Sequence, residues 1–284
     1  MSTYQRDGLE LHYEIRGTGP PVLCVHGATG TGSYDWSKVA GALEDQYRFI
    51  IPDLRGHGHS DYQAGEMSIE AVNADLLALI AHEELEPPHV VAFSFGAEAV
   101  LDLELVYPGT AASLILISPG LGDPKSSVPT RAQLESRWPG TLRALHAERH
   151  GPDHWLDVML ELCDRAARRP KADLRSIGSI GCPVLLILGS EDDPRRLRQA
   201  EVMRDAHDRT EIVVVEGGRH AVHKDHMQEV VTTMAAFFAK VAGTSRSYET
   251  SSERRQGDGR IGNEISAGEN PRLSEILRRR IRKM

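Results

Sequence analysis

The stretch VVAFSFG, residues 90–96, places one serine between a run of strand-forming residues and a helical pattern. Ser94 lies between two phenylalanines, with the small residues Ala92 and Gly96 two positions before and after it. A serine in an apolar run often caps a helix or bonds to its own backbone. The alternative is a sharp strand-to-helix turn that exposes the hydroxyl at a strand end, and such a turn requires small residues at these two positions. The stretch alone leaves both interpretations open.

Apolar runs bounded by turn residues recur on both sides of this stretch. They lie at residues 21–27, 47–56, 89–94, 113–120, 182–190 and 211–218. Near-continuous runs of valine, isoleucine and leucine are typical of strands buried on both faces. Amphipathic helical patterns separate them, so the chain is predicted to be an α/β protein with a mostly parallel central sheet and helices on both faces. The alternating segment 8–19 predicts an antiparallel edge hairpin.

Two segments break this rhythm. Residues 121–178 contain helical and charged sequence without a strand-like run, and they are too long for an ordinary connection, which predicts a small helical cap. Residues 243–284 lack apolar periodicity and carry ten Lys/Arg against six Asp/Glu, which predicts a disordered basic tail that could end in a helix. The main domain is therefore expected over residues 1–242.

The charge balance narrows the range of partners. The chain of 284 residues has a net charge of -8, so no nucleic-acid footprint is expected and a small molecule is the expected partner. The first twenty residues contain no apolar core of signal-peptide length, and no window approaches a membrane-spanning run. We therefore expect a cytoplasmic protein without stable membrane association. Homo-oligomerisation and a contact made by the tail stay open.

The three cysteines, Cys24, Cys163 and Cys182, are odd in number and widely spaced. None belongs to a CxxC pair, and each lies in an apolar or helical context. Buried free thiols are therefore expected.

A serine becomes a nucleophile only beside a base that takes its proton and an acid that orients the base. The sequence supplies both after later strands: Asp192, followed by Asp193, in VLLILGSEDDP, and His220 in IVVVEGGRHAVHKDHMQEV. His223 and His226 fall where a helical pattern starts and are interpreted as surface or helix-entry residues.

Five motifs together resemble the α/β-hydrolase family, in the family's order along the chain. They are VHGATG, PDLRGHGHSD, AFSFGA, CPVLLILGSEDD and GGRHAVHKDHMQEV. The resemblance implies Ser94 as nucleophile, His220 as general base and Asp192 as the orienting carboxylate, with Asp193 and then Asp123 as alternatives for the acid. Ala92 departs from the glycine that the family usually has two residues before the nucleophile.

The same resemblance implies two backbone N–H donors for the oxyanion, those of Ala28 and Phe95. His26 and Gly27 shape the loop that carries Ala28 and are also counted among the substrate-binding candidates. In the cap, the apolar residues Trp138, Trp155 and Met159 are predicted to line the substrate site. The cap also carries several arginines and histidines, which either face solvent or receive a carboxylate-bearing substrate.

The segment LRGHGHSD invites a metal interpretation, because His57 and His59 are spaced like alternating ligands. Neither a cysteine nor a third well-placed carboxylate joins them, so a structural turn is favoured and no metal is expected. No glycine-rich phosphate loop follows a strand, so no nucleotide or redox cofactor is expected either.

The resulting expectation is a serine hydrolase acting on a small or medium ester, thioester or lactone with an apolar acyl part. Three alternatives use the same scaffold. They are a hydrolase of carbon-carbon bonds, a cofactor-free peroxidase or tailoring enzyme of secondary metabolism, and a ligand-binding protein without turnover. The fold alone does not choose among these.

Overall fold

The computed structural model describes residues 2–119, 130–137, 140–168 and 174–256. The strands are β1 (Ser2–Arg6), β2 (Leu9–Arg16), β3 (Pro21–Val25), β4 (Arg48–Pro52), β5 (His89–Phe93), β6 (Ser113–Ile117), β7 (Val184–Gly189) and β8 (Thr210–Val215). The α-helices are α1 (Gly32–Leu43), α2 (Ile69–His82), α3 (Phe95–Val106), α4 (Arg131–Arg137), α5 (Gly140–His150), α6 (His154–Arg168), α7 (Pro194–Ala206), α8 (Val222–Asp225) and α9 (Met227–Gln256). A 3-10 helix covers Leu174–Ser179.

The strands form one eight-stranded sheet in the order β1-β2-β4-β3-β5-β6-β7-β8. Strands β3 to β8 pair in parallel, whereas β2 is antiparallel to both β1 and β4. The predicted α/β class with a mostly parallel sheet is confirmed. Because the carboxyl ends of parallel strands meet at one edge of a sheet, the loops after β3, β5, β7 and β8 open on the same side.

The edge hairpin differs from the prediction in its extent. Segment 8–19 contains only β2, and its partner β1 precedes it in a short polar run without a strand signal. The turn between them uses Asp7 and Gly8, whose φ values of 50° and 82° are the positive values that a tight two-residue hairpin turn needs.

Two hydrophobic layers cover the two faces of the sheet. On β3, Val22 and Cys24 pack with Trp36 of α1 and Phe238 of α9, whereas Leu23 and Val25 pack in the opposite layer with residues of α2 and α3. Successive strand side chains point to opposite faces, so both sets are buried. This explains why these strands appear as continuous apolar runs in the sequence.

Helices α4, α5 and α6 occupy the segment between β6 and β7 for which a cap was predicted. Leu134, Trp155 and Leu156 belong to the same hydrophobic layer as α2 and α3. The Glu161 carboxylate accepts hydrogen bonds from the backbone N–H groups of Gly65 at 3.1 Å and Met67 at 2.8 Å. The cap helices are thus fixed to the body by both apolar and polar contacts.

The last helix continues beyond the expected domain boundary at Ala242. Helix α9 reaches Gln256, so the first part of the segment predicted to be disordered is helical in the structure. Its core contacts involve its first half, through buried residues such as Met234 and Phe238. Residues 257–284, including the predicted terminal helix, lie outside the described residues. Within the described part of the chain, no helix is long and apolar enough to cross a membrane.

Candidate active site

Ser94 occupies a strained turn between β5 and α3. Its φ of 51° and ψ of -112° are values that residues with a side chain rarely adopt. The side chain makes no helix-capping hydrogen bond, which removes the helix-cap interpretation. Its Oγ lies instead 3.0 Å from Nε2 of His220. The turn therefore presents the hydroxyl to a candidate base at the carboxyl edge of the sheet.

The small residues around Ser94 are required by close backbone approaches. A Cβ atom at Gly96 would lie 2.5 Å from the carbonyl oxygen of His26 and 2.8 Å from that of Val25. Ala92, where the family usually has glycine, is fully buried in β5, so its methyl group is accommodated within the core. Helix α3 can start this close to β3 only because position 96 has no side chain.

The loops after β7 and β8 are held together by a second close approach of glycines. A Cβ atom at Gly189 would lie 2.0 Å from the carbonyl oxygen of Gly218. The backbone N–H of Glu191 donates to that same carbonyl at 2.8 Å. These contacts bring the loop that carries Asp192 against the loop that carries His220.

Asp192 and His220 complete a hydrogen-bonded series with Ser94. Nδ1 of His220 lies 3.2 Å from Oδ2 of Asp192. A carboxylate can only accept, so Nδ1 carries the proton and Nε2 is left to accept from the hydroxyl of Ser94. This arrangement can deprotonate Ser94 and stabilise the imidazolium that results.

The surroundings of Asp192 keep it ionised. Burial raises its pKa, but the hydrogen bonds from His220 and from the backbone N–H of Asp193 and the charge of Arg196 together lower it below the usual value. Nε of Arg196 lies 3.4 Å from Oδ1 of Asp192, and its Nη1 donates to the carbonyl oxygens of Ser118 and Pro119 at 3.0 and 2.7 Å. Arg196 therefore joins the acid loop to the start of the cap insertion. The sequence analysis did not single out Arg196. Its position in α7, four residues after Asp192, was the available signal, because side chains at this spacing can meet.

The alternative acid, Asp193, faces away from His220. It caps α7 by accepting from the backbone N–H of Arg195 at 2.9 Å, and it pairs with the Arg195 side chain. The hydrogen bond from the Arg195 side chain is the main cause that lowers the pKa of Asp193 to about 2. Of the two neighbouring carboxylates, the structure brings only Asp192 to the histidine. Asp123 lies outside the described residues.

The loop after β3 lies beside Ser94 and carries the predicted oxyanion donor Ala28. A Cβ atom at Gly27 would be 3.6 Å from Cβ of Ser94, and Ala28 and Phe95 are both partly buried. The backbone N–H of Gly27 donates to Oδ2 of Asp35 at 2.9 Å. Asp35 in turn pairs with Lys224, whose Nζ lies 2.5 Å from Oδ1.

This ion pair connects helix α1 to helix α8. Asp35 is buried near the start of α1, and Lys224 lies in α8, shortly after His220. Lys224 also stacks over the ring of Tyr34, with Nζ 3.4 Å from the ring centroid. Sequence reasoning did not find the pair, because nothing in the chain indicates that two residues so distant in sequence would meet.

His26, predicted both to shape this loop and to contact substrate, is a buried scaffold residue. It is fully buried, its Nδ1 donates to the carbonyl oxygen of Gly27 at 2.7 Å, and its Nε2 accepts from the backbone N–H of Leu54 at 2.9 Å. Burial lowers its pKa to about 3, with the charge of His57 as a second cause. The ring is therefore neutral at neutral pH, and both nitrogens are already used.

A small cavity lies between the Ala28 loop and the cap. It has about 10 Å³ of room for the centre of a water molecule, and it is lined by Ala28, Thr29, Gly56, His57, His146, Trp155, Val158 and Met159. Trp155 and Met159, two of the residues predicted to line the substrate site, line this cavity, whereas Ser94 and His220 are not among its lining residues. Trp138 lies outside the described residues. No Asp, Glu, Lys or Arg side chain is among the described lining residues.

Several cap arginines are paired with carboxylates. Arg131 pairs with Asp157, Arg165 with Glu161, and Arg149 with Asp61 of the body. Such pairs leave these cations less suited to receive the carboxylate of a substrate. Burial is also the main cause that lowers the pKa of His146 to about 3 and that of His150 to about 4.

The segment around His57 forms a buried turn. Arg55 makes a bidentate ion pair with Asp75, with both distances 2.7 Å. The ring nitrogens of His57 each lie 2.9 Å from a backbone carbonyl oxygen, those of Arg55 and Ala28. Among the described residues, no group of three or more His, Cys, Asp or Glu side chains is arranged to hold a metal ion. The three cysteines are free, with Cys24 and Cys182 buried and Cys163 partly buried.

Of the two interpretations of His223, surface and helix entry, the structure agrees with helix entry, because His223 lies in the first turn of α8 and is buried. It is 1% exposed, and its ring lies 4.4 Å from that of Phe93 and 5.1 Å from that of Trp36 between centroids. Burial lowers its pKa to about 4, so it packs as a neutral ring. His226 is partly buried at the end of α8.

Comparison with known proteins identifies the family to which this fold belongs. The model of the alpha/beta hydrolase family matches residues 22–233. The chain therefore belongs to the alpha/beta hydrolase family.

Two of the similar proteins match shorter segments. A pimeloyl-[acyl-carrier protein] methyl ester esterase of Methylococcus capsulatus is 35% identical over 130 residues, 46% of this chain and 45% of that protein. An uncharacterized protein of Mycobacterium tuberculosis is 31% identical over 113 residues, 40% of this chain. The chain spans only 33% of the length of that mycobacterial relative.

A solved structure matches over nearly the whole fold. It is a thermophilic esterase of Thermogutta terrifontis, with a TM-score of 0.70 and 23% identity, covering 84% of this chain and 97% of the esterase. At this level of identity the likeness concerns the fold alone.

Proposed function

We propose that this protein is a serine hydrolase that cleaves a small or medium ester, thioester or lactone through an acyl-enzyme. The observation that carries the proposal is the hydrogen-bonded series from Ser94 Oγ to His220 and on to Asp192, at 3.0 and 3.2 Å. The name of one similar protein, a methyl ester esterase that is 35% identical over 46% of this chain, supports the ester class.

In the first half of the reaction, His220 Nε2 takes the proton of Ser94 while Oγ attacks the carbonyl carbon. The oxyanion is received by the backbone N–H groups of Ala28 and Phe95. His220 then protonates the leaving oxygen or sulfur, and the acyl group stays on Ser94. In the second half, water attacks the acyl-enzyme with the same base, and the acid product leaves.

The described lining favours a neutral, apolar group on the substrate. Trp155, Val158 and Met159 supply apolar surface, and burial keeps His146 neutral. A carboxylate would have to be desolvated there without a free partner, which is costly, because both ring nitrogens of His57 already face backbone carbonyl oxygens. We therefore expect uncharged acyl esters to be turned over faster than dicarboxylate half-esters of equal length.

The test is labelling with a fluorophosphonate, read by mass spectrometry of the intact protein and its peptides. We expect one adduct, on Ser94, that is absent from Ser94→Ala. Ser118→Ala is the matched control, because Ser118 is another serine with positive φ that directly follows a neighbouring strand. An ester panel on the same samples should show turnover lost in Ser94→Ala alone. A folded wild type that is neither labelled nor active would refute the proposal.

A further inference from the structure

Three histidines hold the three successive carbonyl groups of the loop after β3. Nδ1 of His26 lies 2.7 Å from the carbonyl oxygen of Gly27, and Nε2 of His57 lies 2.9 Å from that of Ala28. Nε2 of His146 lies 3.2 Å from the carbonyl oxygen of Thr29. His26 and His57 belong to the body, whereas His146 belongs to helix α5 of the cap.

Fixing these carbonyl groups also fixes the N–H groups of the loop. In a trans peptide, the C=O of one residue and the N–H of the next point in opposite directions. A carbonyl that points to a histidine therefore turns the following N–H away from it. The carbonyl of Gly27, which contacts His26, shares its peptide group with the N–H of Ala28, the oxyanion donor of the proposed function. The carbonyl of Thr29, which contacts His146, lies two peptide groups further along the same loop, so His146 acts on that donor through the loop backbone.

The two contacts of His146 define its protonation. Nδ1 accepts from the backbone N–H of Gly58 at 3.1 Å, so the single proton of the neutral ring is on Nε2 and can be donated to Thr29. Burial and the charge of His57 lower the pKa of His146 to about 3. The ring is 3% exposed and lies 5.3 Å from the ring of His57 between centroids.

Other polar cap contacts reach a different part of the body. Arg149 pairs with Asp61, Glu161 accepts from Met67, and His154 contacts the carbonyl oxygen of Gly56. These contacts hold the cap on the segment after β4. His146 contacts both that segment and the loop beside Ser94.

We propose that His146 is a positioning residue through which the cap sets the orientation of the oxyanion loop. The proposal rests on the proposed function for its effect on turnover. Its structural part, the fixing of the loop by a cap side chain, is independent of that function.

Two variants separate the two hydrogen bonds. His146→Gln places an amide NH2 near the position of Nε2 and can still donate to Thr29. His146→Asn places a carbonyl oxygen near the position of Nδ1, so it can keep the Gly58 contact and loses the Thr29 contact. Arg149→Gln is the control on the same helix, because it removes a cap contact that does not involve the loop.

The first measurement is hydrogen exchange of peptides covering residues 27–31 in the full-length protein. We expect exchange in His146→Asn to be about tenfold faster than in the wild type, the factor that one buried hydrogen bond gives. His146→Gln and Arg149→Gln should stay within about twofold of the wild type. If His146→Asn does not fold, His146→Phe, which keeps the ring and loses both hydrogen bonds, is used in its place. Unchanged exchange in the folded variant would overturn the proposal.

The second measurement is steady-state kinetics on the best ester of the panel. His146→Asn should lower kcat about tenfold with KM nearly unchanged, since the loss concerns an interaction made in the transition state. His146→Gln should restore most of kcat, which a purely structural role would not predict. Faster exchange with unchanged kcat would reject the role in turnover. An inactive, unlabelled wild type would instead reject the proposed function and leave the exchange result valid.

Discussion

At the scale of single residues, the ion pair between Asp35 and Lys224 shows how the site depends on groups that do no chemistry. The Asp35 side chain is 2% exposed, and its two oxygens are used by Lys224 and by the backbone N–H of Gly27. A carboxylate buried to this extent needs both partners, since an unpaired buried charge is strongly destabilising.

We therefore expect Lys224→Met to lower the free energy of unfolding by about 3 kcal/mol, because it leaves Asp35 buried without its cation. Lys240→Met is the matched control, because Lys240 pairs with Glu211 at an exposed site and should cost less than about 1 kcal/mol. Urea denaturation of both variants measures the difference. Equal losses in the two variants would contradict this account.

Gly96 gives a second prediction at this scale. Gly96→Ala would place a methyl group 2.5 Å from a backbone oxygen, and backbone cannot move aside as a flexible side chain can. We expect a loss of at least about 2 kcal/mol in stability together with loss of fluorophosphonate labelling at Ser94. Gly41→Ala, in α1 with nothing within 4 Å of the added atom, should stabilise by about 0.5 to 1 kcal/mol. A Gly96→Ala protein as stable as Gly41→Ala would be inconsistent with the close approach.

At the scale of secondary-structure elements, Asp53 connects the end of β4 to the start of α1. Its carboxylate accepts from the backbone N–H of Gly32 at 2.8 Å and that of His59 at 3.0 Å, and it contacts Nδ1 of His12 at 3.1 Å. An acidic group at a helix N-terminus is also stabilised by the helix dipole. Burial raises the pKa of Asp53, but these hydrogen bonds outweigh it and lower the pKa to about 2.

The lowered pKa of Asp53 makes the free energy of unfolding depend on pH. Because the folded-state pKa is below the unfolded value, the stabilisation is present above about pH 4 and is lost as the pH falls towards 2. We expect this group to contribute on the order of 2 kcal/mol to that loss. Asp53→Asn should be less stable at pH 7 and less sensitive to acid over this interval, as measured by urea denaturation at several pH values. If the free energy of unfolding falls equally with pH in the wild type and in Asp53→Asn, Asp53 is not the source of the acid sensitivity.

At the scale of the whole molecule, the strands and the order of the site residues could be predicted because they depend on local patterns. Continuous apolar runs identify strands buried on both faces, and small residues around Ser94 identify its turn. The hairpin partner β1 was not predicted, because Tyr4 is its only buried residue and a single buried residue gives little hydrophobic signal. The contacts of His26, His146 and Lys224 could not be predicted, since each depends on which distant backbone or carboxylate lies opposite in the folded chain. The contact of Arg196 with Asp192 differs, because the two residues are only four positions apart.

The choice between Asp192 and Asp193 illustrates the same limit. Two neighbouring carboxylates after β7 are equivalent in sequence, and only the start of α7 at Pro194 decides which one caps the helix and which one turns to His220. Similarly, the burial of His223 was not predicted, because its helix is only four residues long, too short for its buried side to be recognised from periodicity.

The order of the sheet also has a consequence for synthesis of the protein on the ribosome. Strand β8 lies at an edge of the sheet, pairs with β7, and is followed by the loop that carries His220. Ser94 is translated long before this histidine, so a nascent chain can form the strained turn while the base is still inside the ribosome. The hydroxyl would then stay unreactive until almost the whole domain has emerged, and translation itself would delay the onset of activity.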